Sequence, residues 1–165
     1  MTYPRALQDA IRTASYVEEK QVRSTSNLPD FLASLLGYAP PWLRALYRVR
    51  VVFLGVLGHR TTGIPDFTRA PRLVPMQSGE RVSFFEVEAA HADLYWVAVA
   101  REAHLSARLA VLREPATHDE AVFRVITVVH LHNAVGRVYF TTILPFHHLV
   151  ISAMMRFAAN RRVRS

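Results

Sequence analysis

The sequence predicts one α+β domain in which a curved, seven-stranded antiparallel sheet wraps around a long C-terminal helix, a helix-grip arrangement. Two observations predict this fold. Extended apolar runs follow one another at short, regular distances with turn residues between them, which is typical of consecutive antiparallel hairpins. The chain then ends in an apolar stretch with helical spacing. Such a helix needs an apolar sheet surface to cover it, so the two observations favour a single structure.

The first third of the chain predicts one strand and two short helices. Asn27 and the serines before it supply helix caps, and Pro29 and Gly37 mark the first turn and the end of the helix that follows. Pro40 and Pro41 open the next helix. The elements predicted here are a short helix or loose arm at 4–13, a polar strand at 15–23, and helices at 28–36 and from 42 toward 57, with Leu43, Leu46, Val49, Phe53 and Val56 on its apolar side.

The rest of the chain predicts six strands and the long helix. Gly63, Pro65 and Pro71 break the segment 58–71, which we interpret as a loop. The predicted strands are 73–76, 81–89, 93–101, 105–113, 121–131 and 137–143. Pro145 then opens the last helix. Its apolar residues recur at steps of three and four and form one stripe: Phe146, Leu149, Val150, Ala153, Met154, Phe157 and Ala158.

Composition sets the class of protein. The chain has 165 residues, of which 51% are hydrophobic, so we predict a single domain over 1–165 with an N-terminal arm at 1–14 and a basic tail at 162–165. There is no cysteine, which excludes disulfides, thiolate metal sites and a cysteine nucleophile. The first twelve residues carry Arg5, Asp9 and Arg12 and have no apolar core, unlike a secretory signal. We therefore expect a cytoplasmic protein.

The formal net charge of +7 attracts phosphates, acidic proteins and anionic membrane surfaces. The arginines are spread along the chain without interleaved aromatic residues, so nucleic acid is not an expected partner. The apolar run 51–57 is too short to cross a bilayer, and Pro145, His147 and His148 interrupt the run 138–155. The arginines at the C-terminus either rest on an anionic membrane surface or form a solvated tail. The sequence does not indicate whether the protein is a monomer or an oligomer.

Five segments carry a resemblance to a bacterial family, the domain-of-unknown-function family 2867. They are Pro-Pro-Trp-Leu-Arg-Ala-Leu at 40–46, His-Ala-Asp-Leu at 91–94, Thr-Val-Val at 127–129 with His-Asn at 132–133, Gly-Arg-Val-Tyr at 136–139, and Pro-Phe-His at 145–147 with Val-Ile at 150–151. The resemblance covers roughly residues 15–161 and implies a fold similar to the START-type (SRPBCC) proteins that bind hydrophobic ligands. Related domains sometimes follow an NAD(P)-binding module, and the family has no established reaction. This chain departs from the family pattern at Ala92 and Tyr95-Trp96.

Histidines are the main candidates for chemistry. In a strand, residues i and i+2 share a face, so His130 pairs with His132 and His91 with Asp93. A His-x-His pair with a carboxylate from another strand has the ligand types of a zinc or iron site. No further ligand motif accompanies the pair, so we predict no metal and no cofactor. The alternative is structural, with His91 hydrogen-bonding around a hairpin corner.

His147 lies in the first turn of the predicted last helix, where it either hydrogen-bonds a ligand or anchors the helix to the sheet. Arg137, Tyr139 and Thr141 share one face of the predicted seventh strand. On the concave face they would line a cavity and suit an acidic or oxygenated ligand, whereas on the convex face they would be solvated.

Three classes of function remain open from the sequence. The first is a small-molecule-binding protein that holds a largely apolar ligand between the sheet and the last helix. The second is an enzyme on the same scaffold with His91, Asp93 or His147 in acid-base roles. The third is a basic module for a protein or membrane surface. The predicted ligand-binding residues are Trp96, His130, His132, Arg137, Tyr139, Phe146, His147, Val150 and Met154.

Overall fold

The computed structural model describes residues 3–56, 58, 73–117 and 119–161. The elements in order are α1 (Arg5–Thr13), β1 (Tyr16–Ser24), α2 (Leu28–Leu36), α3 (Pro41–Val56), β2 (Arg81–Val82), β3 (Phe85–His91), β4 (Tyr95–Arg101), β5 (Leu105–Pro115), β6 (Ala121–Leu131) and α4 (Ala134–Asn160). The predicted loop at 58–71, apart from Gly58, and the predicted basic tail at 162–165 lie outside the described residues.

The strands form one antiparallel sheet in the order β1-β6-β5-β4-β3-β2. The strands from β3 to β6 pair with their neighbours in sequence, as the short turns predict, and β2 pairs with β3. The first strand then pairs with the last one, from Tyr16 opposite Val129 to Ser24 opposite Ala121. The long helix α4 follows β6 directly, so the structure is an α+β helix grip with six strands.

The sheet buries both of its faces. On one face, called here the α4 face, Phe123 stacks on Phe31 of α2 with ring centroids 4.0 Å apart, and Met155 of α4 belongs to the same core. On the opposite α1 face, Leu7 and Ala10 cover apolar side chains of the three central strands: Val97, Ala110, Leu112, Ile126 and Val128. The segment predicted as a short helix or loose arm is therefore a helix that seals the back of the sheet.

The prediction of a seventh strand at 137–143 is wrong, because this segment is the first part of α4. The side chain of Asn133 accepts a hydrogen bond from the Gly136 backbone N–H at 2.9 Å, which caps the helix. Tyr139 and Phe140, about 100° apart around this helix, are both buried. The alternation of apolar residues favoured a strand, but the helix cap and the packing onto the sheet decide the conformation.

Pro145 was predicted to open the last helix but lies inside α4. Proline has no N–H, so it donates no helical hydrogen bond to the carbonyl of Thr141. One turn earlier, the Thr142 hydroxyl donates to the carbonyl of Val138 at 2.8 Å. This bond from residue i to residue i−4 is made along a helix and not along a strand.

Two other elements differ from prediction. Residues 73–76 form no strand, and the predicted strand 81–89 is divided into β2 and β3 by a turn in which Ser83 has φ +55°. The sheet therefore has six strands. α2 and α3 follow the predicted ranges to within one residue, but α3, at 16 residues, is not a short helix.

The long helices bury only part of the predicted sides, including Leu43 of α3 and Ala158 of α4. α3 buries only Leu43 and Leu54, while Val49 and Val56 of its predicted core side are exposed. In α4 the C-terminal half packs through Ile151, Met155 and Ala158, whereas Phe146, Leu149 and Phe157 of the predicted stripe are exposed. Both helices are apolar on more than one side, so periodicity alone did not identify the buried side.

The start of α4 approaches the β4–β5 turn closely at Gly136. A Cβ atom built there would lie 2.1 Å from the carbonyl oxygen of His104, which also accepts the His132 backbone N–H at 3.0 Å. Because the His132 N–H also bonds to the His104 carbonyl, this carbonyl can move away from an added methyl group only if the whole β4–β5 turn moves. Glycine at this position thus fixes where α4 begins over the sheet.

We predict that Gly136→Ala lowers the free energy of unfolding by about 1–3 kcal/mol, because the added methyl group displaces the helix start or the turn. Gly55→Ala in α3 is the matched control. A Cβ there meets nothing within 4 Å, so alanine is expected to stabilise the helix by about 1 kcal/mol. Urea denaturation of both variants measures the difference, and equal changes would contradict the close approach.

Candidate functional site

A pocket of about 330 Å³, partly open to solvent, lies between α3, α4 and the α4 face of the sheet. Its floor comes from β4, β5 and β6. Ala100 and Ala107 are directly paired across β4 and β5, and both line the pocket. Two methyl groups leave room where longer side chains would fill the space, so this pair sets the depth of the floor.

Most of the pocket wall is apolar. Leu109 and Val129 extend the floor, and the two helices close the sides, with Leu46 and Phe53 from α3 and Phe140, Ile143 and Val150 from α4. The polar groups of this wall include two clusters, one around Arg50 and one around His147, together with Arg108, Thr127 and Thr142.

The first cluster joins α3 to the β4–β5 turn through an ion pair between Arg50 and Glu102, whose side chains are 20% and 14% exposed. The guanidinium of Arg50 also lies over two tyrosine rings, 5.8 Å from the centroid of Tyr47 and 5.7 Å from that of Tyr139. Glu102 Oε2 lies 3.3 Å from His104 Nε2. The ion pair is thus surrounded by aromatic groups.

Burial raises the pKa of Tyr139 to about 12, with Glu102 adding to the rise and Arg50 opposing it. The pKa of Arg50 is also raised, because the effects of Tyr139 and Glu102 outweigh the lowering caused by burial. At neutral pH this cluster therefore presents a phenol that keeps its proton and a guanidinium that keeps its charge. Both groups donate hydrogen bonds to oxygen.

The second cluster joins α4 to the edge strand β1. Glu18 Oε2 lies 3.3 Å from His147 Nε2, and Glu18 Oε1 lies 2.5 Å from His148 Nδ1 and 3.0 Å from Lys20 Nζ. Tyr16 Oη is 3.5 Å from His148 Nε2. His147 is the member of this cluster that lines the pocket.

Burial lowers the pKa of His147, although Glu18 opposes the effect. Burial acts to raise the pKa of Glu18, but Lys20, His148 and His147 together lower it. The pair at neutral pH is therefore a neutral imidazole beside a carboxylate. This imidazole lies between Glu18 of β1 and the pocket, and its buried Nε2 has no hydrogen-bond partner within the described part of the chain.

Five of the nine predicted ligand-binding residues line the pocket: Tyr139, Phe146, His147, Val150 and Met154. Tyr139 does so for a reason other than the predicted one. On a helix, residues i and i+2 are about 200° apart, so Arg137, Tyr139 and Thr141 do not share a face. Tyr139 is buried, and the other two are exposed to solvent.

The other four predicted ligand-binding residues are not among those that line the pocket. Trp96 is fully buried in the core, where its Nε1 donates to the carbonyl of Pro75 at 3.0 Å. His130 faces α1, with its Nε2 3.1 Å from Thr13 Oγ1, and burial lowers its pKa. His132 lies beyond the end of β6, so the two histidines do not form a pair on one strand face. His132 and Arg137 are exposed.

Of the predicted catalytic residues His91, Asp93 and His147, some also line the pocket and others do not. His91 and Asp93 are exposed at the β3–β4 hairpin, where the Asp93 backbone N–H donates to His91 Nδ1 at 3.4 Å. They lie outside the pocket wall, which leaves His147 as the candidate that lines it. In the ranges 3–56, 58, 73–117 and 119–161, no three His, Asp or Glu side chains come together as metal ligands would.

Sequence reasoning missed Arg50, Glu102 and Glu18. Arg50 and Glu102 are 52 positions apart, and no motif links them. A signal for Glu18 was present, because the predicted strand at 15–23 places Glu18 and Lys20 on the same face as the apolar Tyr16 and Val22. This period of two places all four side chains on the α4 side of an edge strand.

These features define an α+β helix-grip domain with a largely apolar pocket beside its C-terminal helix. Residues 10–154 match the family described as protein of unknown function (DUF2867), and the chain belongs to that family. No curated protein matches the sequence at a significant level.

Similar solved structures include norcoclaurine synthase from Thalictrum flavum in complex with dopamine and hydroxybenzaldehyde, at 12% identity and a TM-score of 0.41, covering 99% of this chain and 98% of that chain. Ara h 8.0201 is 8% identical with a TM-score of 0.38, over 88% of this chain and 99% of that chain. A START superfamily protein from Mycobacterium smegmatis is 10% identical with a TM-score of 0.35, over 85% and 97%. At such TM-scores the likeness is distant, and the fold assignment rests on the strands and helices described above.

We predict that Glu102→Gln lowers the free energy of unfolding by about 1–3 kcal/mol, since it leaves the partly buried Arg50 without its counter-charge. Glu86→Gln is the matched control. Glu86 pairs with Arg81 at 3.5 Å and Arg101 at 3.6 Å, and these arginines are 77% and 54% exposed. The control should lose less than about 1 kcal/mol. Equal losses in urea denaturation would contradict a special role for the Arg50–Glu102 pair.

We predict that His147 makes the protein less stable as pH falls below about 6.5, because histidine in the unfolded chain takes up a proton more readily than buried His147. In His147→Asn, the loss of stability between about pH 7.5 and about pH 5.5 should be smaller than in the wild type. His91→Asn, at an exposed site, should leave the loss unchanged. Urea denaturation at both pH values measures the free energy of unfolding of each protein. If His147→Asn lost as much stability between the two pH values as the wild type does, the prediction would be contradicted.

Proposed function

We propose that this protein binds a small, largely apolar molecule that carries one oxygen-containing group, in the pocket between α3, α4 and the sheet. The observation that carries the proposal is the pocket itself, about 330 Å³ with an apolar wall and a floor lowered by Ala100 and Ala107. Ligand pockets of proteins begin at about 300 Å³ and combine apolar walls with a few fixed polar groups.

The donors around Arg50 are the reason for proposing that the ligand carries an oxygen-containing group. Arg50 Nε has no hydrogen-bond partner within the part of the chain that the structure describes, although its terminal nitrogen pairs with Glu102. Tyr139 supplies a protonated phenol beside it. A carboxylate, phenolate or carbonyl oxygen on the ligand would accept from these donors while the apolar body lies on the alanine floor.

The dye 1-anilinonaphthalene-8-sulfonate tests the proposal, because it combines an apolar ring system with an anionic group. We predict saturable fluorescence enhancement in the wild type and an affinity at least about tenfold weaker in Ala107→Trp, where an indole fills the floor. Ala92→Trp adds the same side chain at an exposed hairpin position and should bind as the wild type does.

Equal affinities of the two tryptophan variants for the dye would contradict binding in the pocket. Thr142→Trp narrows the same pocket from α4 and replaces Ala107→Trp if that variant fails to fold by circular dichroism. Native mass spectrometry of the purified protein, followed by extraction, then identifies any small molecule that accompanies the chain.

A second candidate function is catalysis, favoured by the contact between His147 and Glu18 at the pocket wall. A neutral imidazole beside a carboxylate has the arrangement of a general base. Incubation of an extracted ligand with wild type and His147→Asn distinguishes the two functions. Conversion by the wild type alone supports an enzyme, whereas an unchanged ligand in both supports binding.

A further inference from the structure

The helices that flank the pocket present an unusual amount of apolar surface to solvent. Five residues of α3 repeat at steps of three, four, three and four and form one exposed stripe: Trp42, Ala45, Val49, Val52 and Val56. Val52 is 67% and Val56 is 81% exposed. Because α3 fully buries only Leu43 and Leu54, this side of an apolar helix stays exposed within the described chain.

α4 carries a second exposed stripe, formed by Val138, Phe146, Leu149 and Phe157 at steps of eight, three and eight, which keep all four on one side of the helix. Within the described ranges α4 is the one helix long and apolar enough to cross a membrane by length and composition. Only 22% of its most apolar window is buried, whereas the core helix of a water-soluble domain is mostly buried. We call the two stripes together the exposed helical surface.

The exposed helical surface is continuous with the pocket. Val49 of α3 and Phe146 of α4 both line the pocket, yet they are 63% and 48% exposed. These two residues therefore stand at the mouth, with apolar surface on either side of the opening.

The charged residues of α3 and α4 are all basic. Neither α3 nor α4 contains an acidic residue. Four of their arginines are exposed beside the apolar stripes: Arg44, Arg48, Arg137 and Arg156. A second copy of the chain docked on this surface would bring arginines against arginines, which is unfavourable. An anionic lipid surface offers opposite charge for the arginines and an apolar layer for the stripes.

We propose that the exposed helical surface docks on an anionic lipid bilayer, with the mouth of the pocket facing the lipid. α4 lies along the membrane surface and does not span the bilayer, because Tyr139, Ile151 and Met155 pack on the sheet and His147 contacts Glu18 of β1. This docking does not depend on the proposed ligand. An apolar molecule would nevertheless pass between membrane and pocket without crossing water.

The test is co-sedimentation of the full chain with vesicles of phosphatidylcholine alone and of phosphatidylcholine mixed with phosphatidylglycerol. We expect binding to the anionic vesicles that weakens as salt is added, since salt screens exposed charges. Val52→Glu and Leu149→Glu should each weaken binding by about tenfold, because each removes an apolar anchor. Neither residue lines the pocket.

Val17→Glu and Leu94→Glu are the matched controls, since these residues are 41% and 37% exposed outside α3 and α4. They introduce the same charge and should bind anionic vesicles better than the two helix variants. Circular dichroism and dye binding establish that every variant is folded with an intact pocket. Equal loss in all four variants would overturn the proposal, because net charge alone would then explain binding.

The arginines are tested separately. Arg44→Gln with Arg48→Gln should weaken vesicle binding more than Arg5→Gln with Arg23→Gln, which removes the same charge at exposed positions of α1 and β1. Light scattering of the free protein tests the alternative that a second copy of the chain binds the exposed helical surface. A wild-type dimer that Val52→Glu dissociates, together with no vesicle binding, would overturn the proposal in favour of a second copy.

Discussion

The structure depends on how α4 is held over the sheet. Its first turn is fixed where Gly136 meets the carbonyl of His104, and its C-terminal half packs through Ile151, Met155 and Ala158. Between these two attachments the sheet carries the paired methyl groups of Ala100 and Ala107. A helix held at both ends above small residues leaves space beneath its middle, and the pocket is that space.

The polar clusters at the pocket also hold the fold together. Arg50 and Glu102 connect α3 to the β4–β5 turn, while Glu18 connects β1 to the two histidines of α4. Each cluster therefore positions the helices that form the wall and places donors or acceptors on that wall. A ligand that bonds to these groups would also change how firmly α3 and α4 are attached, which links binding to the stability of both helices.

The sequence predicted much of the fold, and its errors have physical causes. Short turns identified the hairpins from β3 to β6, and Asn27 with Pro29 identified α2. The alternation of Val138, Phe140 and Thr142 predicts a strand where the structure has the first part of α4, which Asn133 caps. The site was predicted in part: residues of the C-terminal helix such as His147 and Val150 line the pocket, whereas Arg50 and Glu102 meet only through tertiary packing.

The central claim is that apolar molecules enter the space above Ala100 and Ala107. Intermolecular nuclear Overhauser effects between the protons of 1-anilinonaphthalene-8-sulfonate and the alanine methyl groups of the full chain test it most directly. The account predicts cross-peaks to Ala100 and Ala107 and none to Ala110, which lies on the α1 face. Cross-peaks confined to exposed residues of α3 and α4, with none at the two floor alanines, would contradict it.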